Sequence, residues 1–141
     1  MAGVSGEIGL EDVQAIEGLI YASGWLTDHG RAEELPATLA PDGTVHGLGP
    51  EPMDHAAFTE WATGRAANKE RRTRHHIGNV HLTAMSDGRV QATAVVVIWA
   101  IDGDAAPRAG FIGSWEDIFV RAADGRWLVQ QRKLVSIADG D

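Results

Sequence analysis

His75 and Asp28 are the strongest candidates for chemistry in this sequence. An imidazole changes charge near neutral pH, so a histidine can take a proton from a bound molecule and later return it. A carboxylate beside the ring would orient it and stabilise its protonated form. Two alternatives remain open from the residues alone: His75 as a histidine of the core or of a sheet edge, and Asp28 as a turn residue at a helix end.

Most other reaction centres lack the residues or spacings that they need. The sequence has no cysteine, which removes disulfides, thiolate nucleophiles and zinc–thiolate sites. His75 and His76 are consecutive, so in a strand they point to opposite faces and cannot share one metal ion. Phosphate-binding glycine loops, dinucleotide fingerprints and nucleophile elbows are absent. We therefore expect no metal and no cofactor.

Three polar or aromatic residues near the pair are candidates for substrate binding. Tyr21 lies seven residues before Asp28, on the same side of a helix two turns away. It can donate a hydrogen bond to a developing oxyanion, although a tyrosine packed in the core is the favoured interpretation. Trp25 lies between them in sequence. Asn79 shares a face with His75 in an ideal strand, as a pocket donor or as a ladder-capping residue.

A second group of candidates falls on the later β-type segments. Phe111, Trp115 and Asp117 alternate along one face, with Trp115 the favoured pocket wall. Trp99 is interpreted as core or pocket lining. Arg132 is expected to pair with Asp117 or another carboxylate, because a buried arginine normally needs such a partner.

Helical patterns fill the first half of the chain. Apolar or small residues at positions 13, 16, 20, 24 and 27 predict one helix from Leu10 to Asp28, with Gly30 as its left-handed cap. Residues 31–39 predict a short helix interrupted by Pro36, and 44–48 a short strand. Asp54 is a predicted N-cap for a third helix over residues 57–65.

The second half predicts a sheet. Three Asp-Gly turn signals separate long β-type runs over residues 73–85, 89–101, 108–121 and 126–137. Run 89–101 is apolar on both faces for part of its length, which indicates helices on one side and a partner subunit on the other. The fold class is α+β, with helices packed on a curved, mainly antiparallel sheet. We expect a flexible segment 1–9, a single domain over 10–137 and a tail over 138–141, assembled as a homodimer or homotrimer.

Length and charge limit the classes of partner that we expect this chain to bind. The 141 residues fit one domain, and the net charge of -8 makes nucleic acid an unfavourable partner. Arg71, Arg72 and Arg74 form a local basic cluster, interpreted as a solvated entrance to a strand. No apolar stretch reaches the roughly 20 residues of a membrane span, and residues 1–9 lack signal-peptide features. A cytoplasmic protein that binds a small molecule, and neither nucleic acid nor membrane, is the expectation.

Three stretches carry a family resemblance. They are residues 15–20 leading to Asp28; residues 73–80, where His75 is followed four residues later by Asn79; and residues 113–117 with 124–127 and Arg132. Together they resemble the SnoaL-like branch of the NTF2-like superfamily, over residues 10–137. The resemblance implies a cone-shaped α+β barrel that encloses a ligand cavity.

The resemblance also implies an activity. The family includes dehydratases, a dehydrochlorinase, isomerases, epoxide hydrolases, polyketide cyclases and non-catalytic members. Its dehydratase-like and dehydrochlorinase-like members pair an aspartate near the end of the first helix with a histidine at a strand start, which here are Asp28 and His75. The expected function is a cofactor-independent dehydratase (lyase), isomerase or cyclase acting on a small hydrophobic cyclic or polyketide-like molecule. The alternatives are a non-catalytic ligand-binding or oligomerisation domain, and an epoxide hydrolase-like site of Asp117, Arg132 and Asp28.

Overall fold

The structure is a computed structural model that describes residues 2–139, and within them two α-helices precede four long strands. The elements are β1 (Gly3–Ser5), α1 (Leu10–Asp28), β2 (Leu39–His46), α2 (His55–Ala67), β3 (Arg71–Ala84), β4 (Val90–Asp102), β5 (Arg108–Arg121) and β6 (Trp127–Ser136). Short 3-10 helices cover Ala32–Thr38 and Ile137–Asp139. Helices followed by a long meander make this an α+β fold, as predicted.

The six strands form one curved, open sheet in the order β1-β3-β4-β5-β6-β2. Pairing is antiparallel from β3 to β6, whereas the edge strands β1 and β2 run parallel to β3 and β6. Each antiparallel pair has a register shift, between Gly78 and His81, Ile98 and Trp99, and Ile118 and Phe119. Such bulges bend strands and increase their twist, which curves the sheet around its concave face.

Helix α1 packs its predicted apolar face against β3. Val13, Ile16, Ile20 and Gly24 are buried, and the chain leaves the helix through Gly30 at φ +73°. That left-handed conformation suits glycine, which has no Cβ to clash. The predicted helix and its end are therefore confirmed.

Helix α2 closes the other side of the concave face. Asp54 caps it, accepting a hydrogen bond from the Ala57 backbone N–H at 2.8 Å, as predicted. The helix buries Phe58 and Ala62 and packs on the 3-10 helix Ala32–Thr38 and on β2. A space remains between α2, the end of α1 and the sheet, and this space is the candidate site.

The structure differs from the sequence prediction at two sheet edges. Gly3–Ser5, predicted as flexible, pairs in parallel with His81 to Thr83, and Ser5 hydrogen-bonds the His81 ring at 2.8 Å. Strand β2 begins at Leu39 rather than at the predicted residue 44, because the register shift between Leu39 and Thr44 is an irregularity within the strand and not its boundary. The predicted tail is a 3-10 helix as far as Asp139, and Met1, Gly140 and Asp141 lie outside the described residues.

The two faces of β4 have different surroundings. Val90, Ala92, Ala94 and Val96 are buried under the helices, as predicted. On the other face of the sheet Val95, Trp99 and the neighbouring Ile112 are about half exposed, at 44%, 50% and 46%. Within residues 2–139 no helix is long and apolar enough to cross a membrane.

Candidate active site

His75 and Asp28 meet at the junction of α1 and β3. The His75 Nδ1 atom lies 2.6 Å from Asp28 Oδ1, and the two side chains are only 7% and 6% exposed. Because the carboxylate accepts, Nδ1 carries the proton in this contact and Nε2 is left as the acceptor nitrogen. The structure therefore brings together the two residues that the resemblance implied as a pair.

Three hydrogen bonds fix the Asp28 carboxylate. Besides the His75 ring, it accepts from the His75 backbone N–H at 2.7 Å and from Thr73 Oγ1 at 2.7 Å. Burial raises the pKa of Asp28, but the hydrogen bonds from His75 and Thr73 together outweigh it and hold the pKa below its ordinary value. The carboxylate is therefore charged at neutral pH, and its orientation is set from three directions.

Gly24 allows α1 to lie close enough for this contact. A Cβ built on Gly24 would lie 2.8 Å from His75 Cβ and 2.9 Å from Ile77 Cδ1, closer than carbon atoms pack. The helix therefore contacts β3 at a point where only glycine, which has no Cβ, fits. One turn later the same helix delivers Asp28 to the strand.

His75 lines a cavity of about 800 Å³ that opens to solvent. Most of its wall surface is apolar and comes from the 3-10 helix Ala32–Thr38, β2, α2 and the loop between β2 and α2; the lining includes Leu35, Val45, Leu48, Met53, Phe58 and Trp61. Polar side chains also line it, among them Thr27 and Thr73 near the dyad, Glu60 and Arg65 on α2, and Arg132 on β6. A mainly apolar concavity with a few convergent polar groups is typical of small-molecule sites.

Trp115 forms the wall beside His75, with their ring centroids 5.8 Å apart. The Arg132 guanidinium lies over the Trp115 ring, 4.2 Å from its centroid, and donates two hydrogen bonds of 2.8 Å and 2.7 Å to buried Asp117. The predicted Asp117–Arg132 pair is thus present. Trp115 Nε1–H is buried without an acceptor among residues 2–139, a state that costs about 1–3 kcal/mol.

Several predicted binding residues lie elsewhere. Tyr21 and Trp25 are 44% and 51% exposed on the outer side of α1 and do not line the cavity, because the buried face of the helix includes Ser23 and Gly24 instead. For Tyr21 the favoured core interpretation is also wrong. Asn79 is exposed at φ 49° because the bulge after Gly78 interrupts the alternation that an ideal strand would keep.

The remaining candidates divide between core and surface. Phe111 is partly buried against the hydrophobic core and Asp117 is buried in its ion pair, and neither is part of the cavity wall. Trp99 is on the outer side of β4, opposite Arg74 in β3, where it lines a separate groove. His76 is exposed on that outer side too, as the strand alternation predicted.

Two residues that the sequence did not suggest belong to the site. Thr73 Oγ1 donates to Asp28 and accepts from Arg65 Nη2 at 3.1 Å, which links α2 to the dyad. Burial and the charge of neighbouring Arg71 lower the pKa of Arg65. The apolar spacing of α2 indicates its buried face, but nothing in the sequence signals that Arg65 would reach Thr73.

Metal ligands do not converge here: among residues 2–139 no three histidine, aspartate or glutamate side chains form a candidate ion site. What the arrangement offers chemically is an imidazole with one nitrogen held by a carboxylate and the ring set in the wall of a cavity. Such a ring can accept a proton from a bound molecule and return it.

Known structures share this architecture. ActVI-ORFA from Streptomyces coelicolor superposes with a TM-score of 0.76 at 22% identity, over 89% of this chain and 97% of that one. A putative scytalone dehydratase from Novosphingobium aromaticivorans gives 0.79 at 22% identity, over 90% and 85%. An NTF2-like protein with a cystatin-like fold from the same organism gives 0.76 at 23% identity, over 94% and 85%. No curated protein matches the sequence.

The fold is thus of the NTF2-like class. The model of the SnoaL-like domain family matches residues 9–133, so the chain belongs to that family. Members of the family include polyketide cyclases and dehydratases.

Proposed function

We propose that this chain is a cofactor-independent acid–base enzyme, a dehydratase, isomerase or cyclase. In it His75 transfers the proton, and Asp28 holds the His75 ring in position for that task. The observation that carries the proposal is the 2.6 Å contact between His75 Nδ1 and Asp28 Oδ1 in the wall of an apolar cavity. Membership in a family that includes such enzymes supports it.

The proton transfer follows from the geometry of the pair. His75 Nε2 takes a proton from a carbon next to a carbonyl or a leaving group, and the ring becomes an imidazolium. Asp28, charged and held by three hydrogen bonds, stabilises that cation without moving. The imidazolium then returns the proton, to the leaving hydroxyl in a dehydration or to another carbon in an isomerisation. Because the histidine both accepts and donates, the cycle needs no other proton carrier.

The cavity indicates the kind of molecule that would bind. Its apolar lining suits a cyclic or polyketide-like hydrocarbon skeleton, and about 800 Å³ is the size of a small-molecule site. The unpaired Trp115 Nε1–H favours a substrate that carries an oxygen, since an acceptor there would remove the cost of a buried free donor.

Dehydration of 3-hydroxy-1-tetralone tests the proposal. Removal of a C2 proton and loss of the C3 hydroxyl as water, followed by tautomerisation, give fluorescent 1-naphthol. We expect His75→Ala to lower the rate by at least about a hundredfold, which is the usual contribution of a general base. His76→Ala is the matched control, because this neighbour is exposed on the opposite face, and it should retain wild-type turnover. Near-normal rates for both His75→Ala and Asp28→Asn would contradict the proposal.

A non-catalytic ligand-binding domain of the same fold is the second candidate. It is distinguished by binding without turnover, so that substrate consumption by the wild-type chain would equal that of His75→Ala. An epoxide hydrolase-like site is disfavoured by the hydrogen bonds. Arg132 binds Asp117, whereas Asp28 binds His75 and Thr73, so the two carboxylates belong to separate networks.

A further inference from the structure

The positive charges of this protein are distributed unevenly. Of its twelve lysines and arginines, seven have a carboxylate within 4.0 Å, and these are Arg31, Arg71, Arg89, Arg108, Arg121, Arg126 and Arg132. The five that have none within residues 2–139 are Arg65, Lys69, Arg72, Arg74 and Lys133. Four of these five line one groove of about 510 Å³, next to the cavity, and only Lys133 lies elsewhere. We call it the basic groove; Arg71 and Trp99 also line it.

The four cations of the basic groove contact only neutral acceptors. Arg65 donates to the Thr73 hydroxyl, Lys69 to the Ala66 carbonyl at 2.6 Å, and Arg72 to the Gly103 carbonyl at 3.3 Å. Arg74 likewise reaches only backbone carbonyls, those of residues 28 and 73. Neutral acceptors satisfy some donors but cancel no charge, so these side chains repel one another in a protein whose net charge is -8.

Two carboxylates at the basic groove are already engaged. Asp28 accepts three hydrogen bonds from His75 and Thr73, and Asp102 is shared between Arg71 and Arg108 at 2.9 Å and 2.8 Å. Asp28 is the one carboxylate among the described residues that line the groove, against five cations. A concave surface lined mainly by one sign of charge concentrates ligands of the opposite sign.

The basic groove adjoins the cavity that contains His75. Thr27, Arg65, Asn68, Arg71 and Thr73 line both, so the two spaces share one wall. Trp99, half exposed, adds an apolar surface to the groove. Because Arg65 and Arg71 line both spaces, a charged group on a molecule in the cavity can lie beside cations of the groove.

We propose that the basic groove binds the anionic group, a carboxylate or a phosphate, of a molecule whose apolar body occupies the cavity. This rests on the proposed function for the cavity and specifies its substrate class as an apolar ring system with an oxyanion. Arginine is suited to this role because its planar donors match the oxygens of both groups.

Equilibrium binding of two matched probes tests the proposal. We expect 1-naphthyl phosphate to bind the wild-type chain at least about tenfold more tightly than 1-naphthol in calorimetric titrations at low salt, since hydrogen bonds between charged groups are the stronger ones. Arg65→Gln should remove most of that preference, and exposed Arg72→Gln should lower phosphate ester affinity about threefold because solvent screens it. The affinity for 1-naphthol should not change in Arg72→Gln, because Arg72 does not line the cavity.

Lys133→Gln is the matched control, since among residues 2–139 Lys133 is the cation outside the groove that has no carboxylate within 4.0 Å. It should bind both probes like the wild type. If Arg65→Gln proves unstable, Arg72→Gln alone decides, because its side chain is exposed and no core packing depends on it. Equal binding of the two probes by the wild-type chain, or equal weakening by Lys133→Gln and Arg72→Gln, would overturn the proposal.

Two further titrations separate this proposal from others. Inorganic phosphate should compete with 1-naphthyl phosphate and not with 1-naphthol; competition with both would place the anion in the cavity and overturn the assignment to the groove. His75→Ala should keep the preference for the phosphate ester, because binding at equilibrium involves no proton transfer. The turnover assays therefore test the proposed function, whereas the preference for the phosphate ester tests the anion site, and either proposal can fail without the other.

Discussion

Two alanine substitutions in the same helix give a sharp test of how the dyad is assembled. Glycine inside a helix is about 0.5–1 kcal/mol less favourable than alanine. A Cβ on Gly18 would have no atom within 4 Å, so Gly18→Ala should stabilise the protein by that amount. A Cβ on Gly24 would lie 2.8 Å from His75 Cβ and 2.9 Å from Ile77 Cδ1. Overpacking of this kind costs about 1–3 kcal/mol, so Gly24→Ala should be destabilising despite its better helix propensity.

Urea unfolding of both variants measures the difference. We expect Gly24→Ala to be about 1–3 kcal/mol less stable than Gly18→Ala, because the propensity gain is common to both and cancels, and the clash belongs to Gly24→Ala alone. Because the clash pushes α1 away from β3, Gly24→Ala should also lower turnover of 3-hydroxy-1-tetralone, whereas Gly18→Ala should not. Equal stabilisation by the two substitutions, with wild-type turnover in both, would refute the contact between Gly24 and His75.

Three further predictions concern the buried charges and the sheet. Asp28→Asn should lower the free energy of unfolding at pH 7 by about 2–3 kcal/mol, which is the contribution of one charge-assisted hydrogen bond. Folding lowers the pKa of Asp28. The stabilisation is therefore present above the unfolded pKa of about 3.9 and is lost as the pH falls through the folded value. The cost of the substitution, measured by urea unfolding at each pH, should therefore shrink towards pH 3. Asp117→Ala should cost about 3–5 kcal/mol by leaving Arg132 buried and unpaired, and Asp117→Leu with Arg132→Met should recover most of it in thermal melts. We propose that the chains assemble into a homodimer or homotrimer through the exposed outer face of the sheet. Val95→Asp combined with Ile112→Asp should then give monomers in light scattering. An unchanged mass would contradict that interface.

Periodicity predicted most of the fold because each element buries one regular face. The 3-4 spacing of Val13, Ile16 and Ile20 and the Asp-Gly turns gave α1 and the four long strands nearly to their ends. The two edge strands were not predicted correctly, since short parallel edges have little sequence signal of their own. Gly3–Ser5 gains its structure from hydrogen bonds to β3, a tertiary effect that composition cannot show.

The site was predictable only in part. The positions of Asp28 and His75 followed from family resemblance, but their contact depends on α1 crossing β3 at Gly24, which spacing alone does not define. Asn79 was misplaced because one bulge shifts the alternation of β3. Arg65 was not predicted at all, since it reaches the site only through the packing of α2 beside β3.

The tautomer of His75 is the most direct test of the acid–base site. In histidine-labelled protein, ¹H–¹⁵N spectra tuned to imidazole couplings distinguish a protonated Nδ1 from a protonated Nε2, and the signals lost in His75→Asn assign the ring. At a pH where the ring is neutral, we expect a protonated Nδ1, which donates to Asp28, and an unprotonated Nε2. The Asp28→Asn variant should lose this preference. A neutral ring with its proton on Nε2 in the wild-type protein would contradict the hydrogen bond from His75 Nδ1 to Asp28 and the proton transfer proposed for Nε2.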